Sequence, residues 1–372
     1  MPGALLPQTN AGNHKRILIV TDAWEPQTNG VVTTMKSLRH HLRLAGYRVL
    51  MLTPQQFSTI PSIYPGVRLA LPPPPLVSEM IDKMRPDRIL IATEGPLGLA
   101  ARLHCVINRI PFVTSYTTRW PEYCLMHWKF PPLHWGYKFM QWFHSEATAT
   151  MVATPSLLEE LRGKGFHNTV LWSRGVDTDF FHPLPPTEKL TFMPDLPRPL
   201  YLYVGRISKE KNLETFLKQD LPGSKVLIGQ GPDLEDFRTR FPAAHFTGPM
   251  NGPALARAFA CGDVFVFPSK TDTFGLVILE ALASGLPVVA FDVTGPKDIL
   301  AVAGTAPPAE RVGFLAKNER DLREMALEAL RLSQKQPHYA ALCQAYALPF
   351  SWQHSVERLI AHTPVISAAS LF

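Results

Sequence analysis

Short apolar runs alternating with amphipathic stretches lay out this chain. Arg16-Ile17-Leu18-Ile19-Val20-Thr21 reads as a buried strand, residues 31–45 carry helical spacing that stops at Gly46, and Arg48-Val49-Leu50-Met51-Leu52-Thr53 reads as a second strand. Apolar runs at 88–92, 112–115 and 150–153 continue the series. Strand, helix, strand in this order predicts a parallel, doubly wound sheet. The proline-rich run 71–76 is a connector, and a second proline-rich stretch, 183–199, precedes a restart of the pattern. Strands are expected at 200–204, 225–228, 245–246, 264–267, 288–291 and 313–315, with a helix at 213–217 after the first. The expected fold is therefore α/β: two Rossmann-like, doubly wound domains facing a central cleft. The domains are expected at 14–185 and 196–348. A short amphipathic helix, Ser351-Trp352 to Leu359-Ile360, occupies 350–365.

Composition narrows the class. With 372 residues, 46% hydrophobic and 18% charged, the chain is long enough for two cores of ordinary size. No apolar stretch reaches the length of a membrane span, and residues 1–15 lack the apolar core of a secretion signal. Cys105, Cys124, Cys261 and Cys343 lie far apart without metal-ligand spacing, which predicts free thiols in a reducing cytoplasm. Residues 1–180 hold 18 Lys/Arg against 12 Asp/Glu, whereas the rest is balanced. A basic half suits lipid headgroups, nucleic acid or an acidic saccharide, and equally suits ordinary solvated charge.

The densest chemistry lies at Lys270-Thr271-Asp272-Thr273-Phe274-Gly275-Leu276, between an apolar strand and an apolar helix that ends near Gly285. Backbone N–H groups from Thr273 to Leu276, at a helix mouth, suit an anion. Glu280 follows Thr273 by seven residues, about two turns or ~10 Å along the helix and on nearly the same face. A phosphate at the mouth would leave sugar hydroxyls near Glu280 and Asp272, although acids flanking a strand–loop–helix are also common structural features. Gly205-Arg206 follows another strand, with Lys211 five residues later, a pair of cations suited to a diphosphate or to a solvated loop. Gly229-Gln230-Gly231 admits a flat nucleobase or is a plain turn, and Met250 is placed to cover a base edge. Asn29-Gly30 opens the first helix and permits close approach of a ligand, or is merely a turn.

As a set, Gly30, Gly205-Arg206 with Lys211, the glycine loop, Asp272-x7-Glu280 and Ser173-Arg174-Gly175-Val176-Asp177 resemble the retaining family 4 glycosyltransferases of GT-B fold, over nearly the whole chain. Thr114-Ser115-Tyr116, Pro121-Glu122-Tyr123, residues 151–156 and 270–276 resemble the bacterial branch of GDP-mannose-dependent α-mannosyltransferases. The resemblance implies that Gly30 meets the donor phosphate, Arg206 and Lys211 neutralise the diphosphate, and Thr273, Phe274, Gly275 and Leu276 cap the phosphates. It places Glu280 on the ribose and Asp272, where relatives most often have Glu, on the donor sugar. Gly229, Gly231 and Met250 belong to the same donor site. Thr117 stands where many relatives have a His near the donor sugar. No metal and no cofactor are implied, and the final helix is expected to cross back onto the first domain.

The implied activity is hexosyl transfer, with mannose from GDP-mannose as the first choice and a UDP-sugar-dependent glycolipid glycosyltransferase as the second. A sugar-nucleotide-binding protein without turnover and a GT-B epimerase or phosphorylase are the readings from other classes. The implied partners are a nucleotide-sugar donor and a lipid or saccharide acceptor, not nucleic acid. The aromatic and basic residues between Tyr123 and His144 are expected either to touch an anionic membrane from the cytoplasmic side or to pack on the first sheet.

Overall fold

Ile17, Leu18, Ile19 and Val20 are fully buried, and the strand they form, β1 (Arg16–Val20), seeds the first sheet. The computed structural model describes residues 15–27, 29–61, 68–128, 132–189, 192–272, 274–305 and 307–367. The remaining strands before the linker are β2 (Arg48–Leu52), β3 (Thr59–Pro61), β4 (Arg68–Ala70), β5 (Arg88–Ile91), β6 (Val113–Tyr116), β7 (Ala149–Val152) and β8 (Thr169–Leu171). Five of them join β1 in a six-stranded sheet of order β2-β1-β5-β6-β7-β8, and β3 and β4 pair apart as an antiparallel ribbon. β1 pairs in parallel with both β2 and β5, and β5 with β6.

The second sheet contains β9 (Leu200–Val204), β10 (Ser224–Ile228), β11 (His245–Gly248), β12 (Val264–Phe267), β13 (Val288–Phe291) and β14 (Gly313–Ala316). Its order is β11-β10-β9-β12-β13-β14, and every adjacent pair is parallel. The central strands β9, β12 and β13 are buried at every position, as runs without alternation demand of a sheet covered on both faces. Two parallel-sheet α/β units are thus present.

The division of the chain differs from the expected cut near residue 185. One unit takes the described residues through Met151, with Lys164–Val170 and Val356 onward; the other takes Val152–Gly163 and Leu171–Ser355. Backbone packing explains the shift. Val176 donates to the carbonyl of Phe350 (2.8 Å) and bridges to Ser351, and the Trp172 indole donates to the Ser355 carbonyl (2.9 Å). A Cβ on Gly175 would stand 2.4 Å from the Trp352 nitrogen, so the glycine of the Arg174-Gly175-Val176-Asp177 stretch serves this packing. The final helix, Trp352–His362, starts there. Its later residues belong to the first unit, where Arg88 donates to the Ile360 carbonyl (3.0 Å) and Ile366 to that of Asp87 (2.9 Å).

All four cysteines are free thiols. No helix among the described residues is long and apolar enough to cross a membrane.

Candidate donor site

In the second unit the chain winds outward from β9 to β10 and β11, then returns to the centre and winds the other way from β12. The order reverses between β9 and β12, and in open α/β sheets ligands bind at the carboxyl ends of the strands that flank such a reversal. Those two ends lead directly into Gly205-Arg206 and into the loop that carries Asp272.

Lys211 closes a single 3-10 turn, Lys209–Lys211, and reaches across to the β12 loop. Its ammonium lies 2.7 and 2.9 Å from the two carboxylate oxygens of Asp272, and both side chains are partly buried. The sequence assigned the two residues to different parts of a donor; the fold joins them as an ion pair. Neighbouring contacts fix both loops. Asn212, in a left-handed conformation, donates from Nδ2 to the Pro268 carbonyl (3.1 Å), and the Thr271 hydroxyl donates to the Glu210 carbonyl (3.4 Å). The buried Tyr203 hydroxyl donates to the carbonyl of Arg206 (2.9 Å), and burial holds that phenol well above its ordinary range. Tyr203 and Asn212 went unnoticed in the sequence. A hydroxyl-bearing side chain inside an otherwise apolar strand was the available signal.

The helix Leu276–Ala283 begins at Gly275, whose φ of +97° lies in the left-handed region that a side chain would strain. Among the described residues no side chain caps this N-terminus and its first turn has no acid; the Ile278 N–H is taken by the Gly275 carbonyl (2.9 Å), which leaves the N–H groups of Leu276 and Val277 and the positive end of the dipole for an anion. Ile278, Leu279, Ala281, Leu282 and Ala283 anchor the helix in the core. Glu280 is its one ionisable residue. Among the described residues its carboxylate has neither an ion-pair nor a hydrogen-bond partner, and burial alone pushes it up to about 7. Phe274 is a core side chain, so only its backbone is available to a ligand; Leu276 and Met250 are partly buried against the same core. Thr273 lies outside the described residues.

The glycine loop packs closely on its neighbour. Gly229 adopts φ +150°, and a Cβ there would fall 1.9 Å from the Gly205 carbonyl oxygen; one on Gly231 would fall 2.1 Å from that of Ile207. The bare backbones let the β10 loop lie against the β9 loop. Gly205 donates to Ile228 and Ile207 to Gln230, each at 3.0 Å. The bare Gly229 and Gly231 backbones therefore let the β10 loop hold the Arg206 loop in place.

The first unit has its own reversal, between β1 and β5. Gly30 opens the helix Gly30–Leu44 after β1, with nothing within 4 Å of where its Cβ would stand. The Asn29 carboxamide oxygen already accepts from Val31 and Val32 (both 3.0 Å), so two of that helix's free donors are spent on the cap. Thr117, just past β6, donates its hydroxyl to the Ala92 carbonyl (3.4 Å). Asp22, unflagged in the sequence, occupies the next helix mouth. It accepts from Leu97 (2.8 Å), Gly98 (3.1 Å) and the Thr93 hydroxyl (2.8 Å), while burial raises its carboxyl.

Known proteins share this sequence pattern and fold. Residues 28–180 match the family model described as Glycosyltransferase Family 4, and residues 198–335 that of Glycosyl transferases group 1. A GDP-mannose-dependent alpha-mannosyltransferase of Mycolicibacterium smegmatis is 30% identical, over 93% of this chain and 96% of its own. Sulfoquinovosyl transferase SQD2 of Arabidopsis thaliana is 34% identical over 64% of this chain and 49% of its own. Among solved structures, sucrose-phosphate synthase of Thermosynechococcus elongatus, a GT-B glycosyltransferase, superposes with a TM-score of 0.74 at 20% identity, covering 93% and 98% of the two chains. With both halves matched and a relative of this identity aligned nearly end to end, the chain belongs to glycosyltransferase family 4.

Proposed function

We propose that this protein transfers a hexose, mannose from GDP-mannose, onto a lipid or saccharide acceptor with retention of anomeric configuration. The observation that carries the reading is the donor site of the second unit. A helix mouth without a side-chain cap and a Glu280 without a polar partner, both among the described residues, stand with the cations Arg206 and Lys211 beside one sheet reversal. Each has a task in cleaving a sugar–diphosphate bond. Arg206 and Lys211 take up the negative charge that grows on the leaving diphosphate, and the helix amides add fixed dipoles. Glu280, once ionised, accepts from the ribose hydroxyls. Asp272 aims Lys211 and is placed to meet the donor sugar. The leaving diphosphate assists deprotonation of the acceptor on the same face, so no metal and no cofactor are required.

The mannose assignment is supported by the relatives named as GDP-mannose-dependent alpha-mannosyltransferases. A UDP-linked donor with a glycolipid product is the second reading, its glycolipid product favoured by the likeness to an alpha-monoglucosyldiacylglycerol synthase. A thermal-shift series with GDP, UDP, ADP and their sugars separates them. Binding at 100 times the dissociation constant stabilises by ~2.7 kcal/mol, so the preferred nucleotide stands out. A shift with UDP and none with GDP would overturn the mannose assignment.

The lipid acceptor is supported by the helix Leu133–Ser145. Tyr137, Met140, Phe143 and His144 are buried, whereas Trp135 (56% exposed), Phe139 and Trp142 (50%) project outward around the exposed Lys138. An outward aromatic row bearing a cation, in the basic half of the chain, suits an anionic bilayer surface. Sedimentation with phosphatidylglycerol vesicles should carry the wild type down and release Trp135→Ser/Trp142→Ser; equal sedimentation of the two would remove this contact. The Tyr123 and Trp128 side chains, and Lys129 and Phe130, lie outside the described residues.

A further inference from the structure

Glu94 and His144 are both buried in the first unit, with side chains about 1% exposed. Glu94 lies past the end of β5, at the reversal between β1 and β5, and His144 is in the last turn of the helix Leu133–Ser145. His144 Nε2 stands 3.4 Å from Glu94 Oε1 without forming a hydrogen bond, and among the described residues neither Glu94 oxygen has a hydrogen-bond partner. Phe143, Phe166 and Tyr116 surround the imidazole, with ring centroids 5.1, 6.0 and 5.8 Å away.

The other ring nitrogen sets the proton count. Asn168 Nδ2 donates to two backbone carbonyls, those of His144 (2.8 Å) and Ala147 (2.7 Å), which fixes the orientation of its amide. Asn168 Oδ1 must then accept, and it does so from the Thr150 hydroxyl at 3.1 Å. With its proton spent, Thr150 accepts from Thr114 (3.2 Å), and Thr114 in turn accepts from His144 Nδ1 (2.8 Å). His144 therefore carries a proton on Nδ1. A neutral imidazole of this tautomer presents a lone pair at Nε2, aimed at a carboxylate that itself has no donor. Two lone pairs facing each other in an apolar cage, one on an unpaired buried charge, cost several kcal/mol.

We propose that Glu94 and His144 share one further proton, and that this pair is a positioning device for the loop that joins β5 to the helix Pro96–Ile107. Whether the proton rests on oxygen or on nitrogen, it joins the two side chains and ties the loop to the helix Leu133–Ser145. The same loop carries Thr93, which clasps Asp22 through two hydrogen bonds (2.7 and 2.8 Å), and follows Ala92, whose carbonyl receives Thr117. Glu94 thus acts through the loop on the residues at the first unit's reversal. Asp22, and the nearby Tyr116 with Glu122, Tyr137 and Arg119 beyond it, supply the other ionisable groups around the pair.

The test is ¹⁵N NMR of the full-length, histidine-labelled protein at neutral pH, with the His144 signals identified by their loss in His144→Gln. The expected spectrum has Nδ1 protonated and Nε2 either protonated or shifted by a strong bond from an acid. A neutral ring protonated on Nε2 would overturn the proposal, as would a free Nε2 lone pair. In Glu94→Gln the amide can donate to a neutral imidazole, so the ring should become the plain Nδ1–H tautomer and the loop should stay in place. A second arm rests on the glycosyl-transfer reading, whereas the spectra do not. Glu94→Gln should keep acceptor kcat/KM within about threefold, and Glu94→Ala should lose about tenfold or more, the worth of one charged hydrogen bond. Wild-type kcat/KM in Glu94→Ala, or equal losses in both variants, would remove the positioning role.

Discussion

Replacing Glu280 by Gln should make the protein more stable and a worse nucleotide binder at the same time. The folded carboxyl titrates at about 7 against 4.5 for the free side chain, because burial disfavours its charge. The sign follows from proton binding. Between pH 4.5 and 7 the folded state holds a proton that the unfolded state has lost, so stability falls as pH rises through this window and levels off above it. A shift of about 2.5 units at 1.36 kcal/mol each bounds the penalty at about 3 kcal/mol above pH 7. Glutamine fits the same space without a charge, so Glu280→Gln should gain up to ~3 kcal/mol at pH 8 and nothing at pH 4. For a domain of this size that is about 6–12 °C in Tm. Nucleoside diphosphate affinity should meanwhile weaken by about 1–3 kcal/mol, the worth of hydrogen bonds to a charged acceptor. Below pH 7 wild-type affinity should also decline, since the carboxylate must ionise to bind, and the Gln variant should lack this dependence. Denaturant melts from pH 4 to 8, with isothermal titration of GDP at both ends, measure every quantity. A Gln variant that is less stable at pH 8, or that binds GDP like the wild type, would refute the reasoning.

Arg206→Ala and Lys211→Ala should each lower kcat by about 10²-fold or more, since each removes a charge that stabilises the leaving diphosphate; wild-type turnover in a folded variant would cancel that role. Asp272→Asn should depress kcat more than it weakens GDP binding, and Asp272→Glu should be tolerated, because the longer acid still reaches Lys211; equal loss of GDP affinity in Asp272→Asn and Glu280→Gln would contradict the division of labour. Gly229→Ala should fail to yield a stable second unit, because its Cβ would overlap the Gly205 carbonyl oxygen, and far-ultraviolet circular dichroism with a melt decides it.

The strand series was readable because parallel strands covered on both faces are unbroken apolar runs, as Val264–Phe267 and Val288–Phe291 are. The candidate donor site stood out in the sequence where a polar group interrupts such a pattern: Glu280 within Leu276–Ala283, and Asp272 in the loop before it. What escaped were contacts between residues far apart in the chain. Nothing local announces that Lys211 meets Asp272 across 61 positions, or that Gly229 lies against the Gly205 carbonyl. The placement of residues 171–185 escaped for the same reason, since their partners, 350–355, lie at the other end of the unit. Asp22 and the Glu94–His144 pair looked like ordinary polar residues at strand and helix ends; burial sets the pair apart, and the donors of Thr93, Leu97 and Gly98 set Asp22 apart.

The most direct test is transfer itself. The purified protein is incubated, with chelator present, with GDP-mannose, UDP-glucose or ADP-glucose and vesicles of diacylglycerol or phosphatidylinositol. Products are then identified by mass and by the one-bond carbon–proton coupling at the new anomeric centre. An α-linked mannosyl lipid from GDP-mannose, formed at the same rate with and without chelator, is the expected result. Nucleotide binding without any glycosylated product, a β-linked product, or activity only on restoring a divalent metal would contradict a metal-independent, retaining mannosyltransferase.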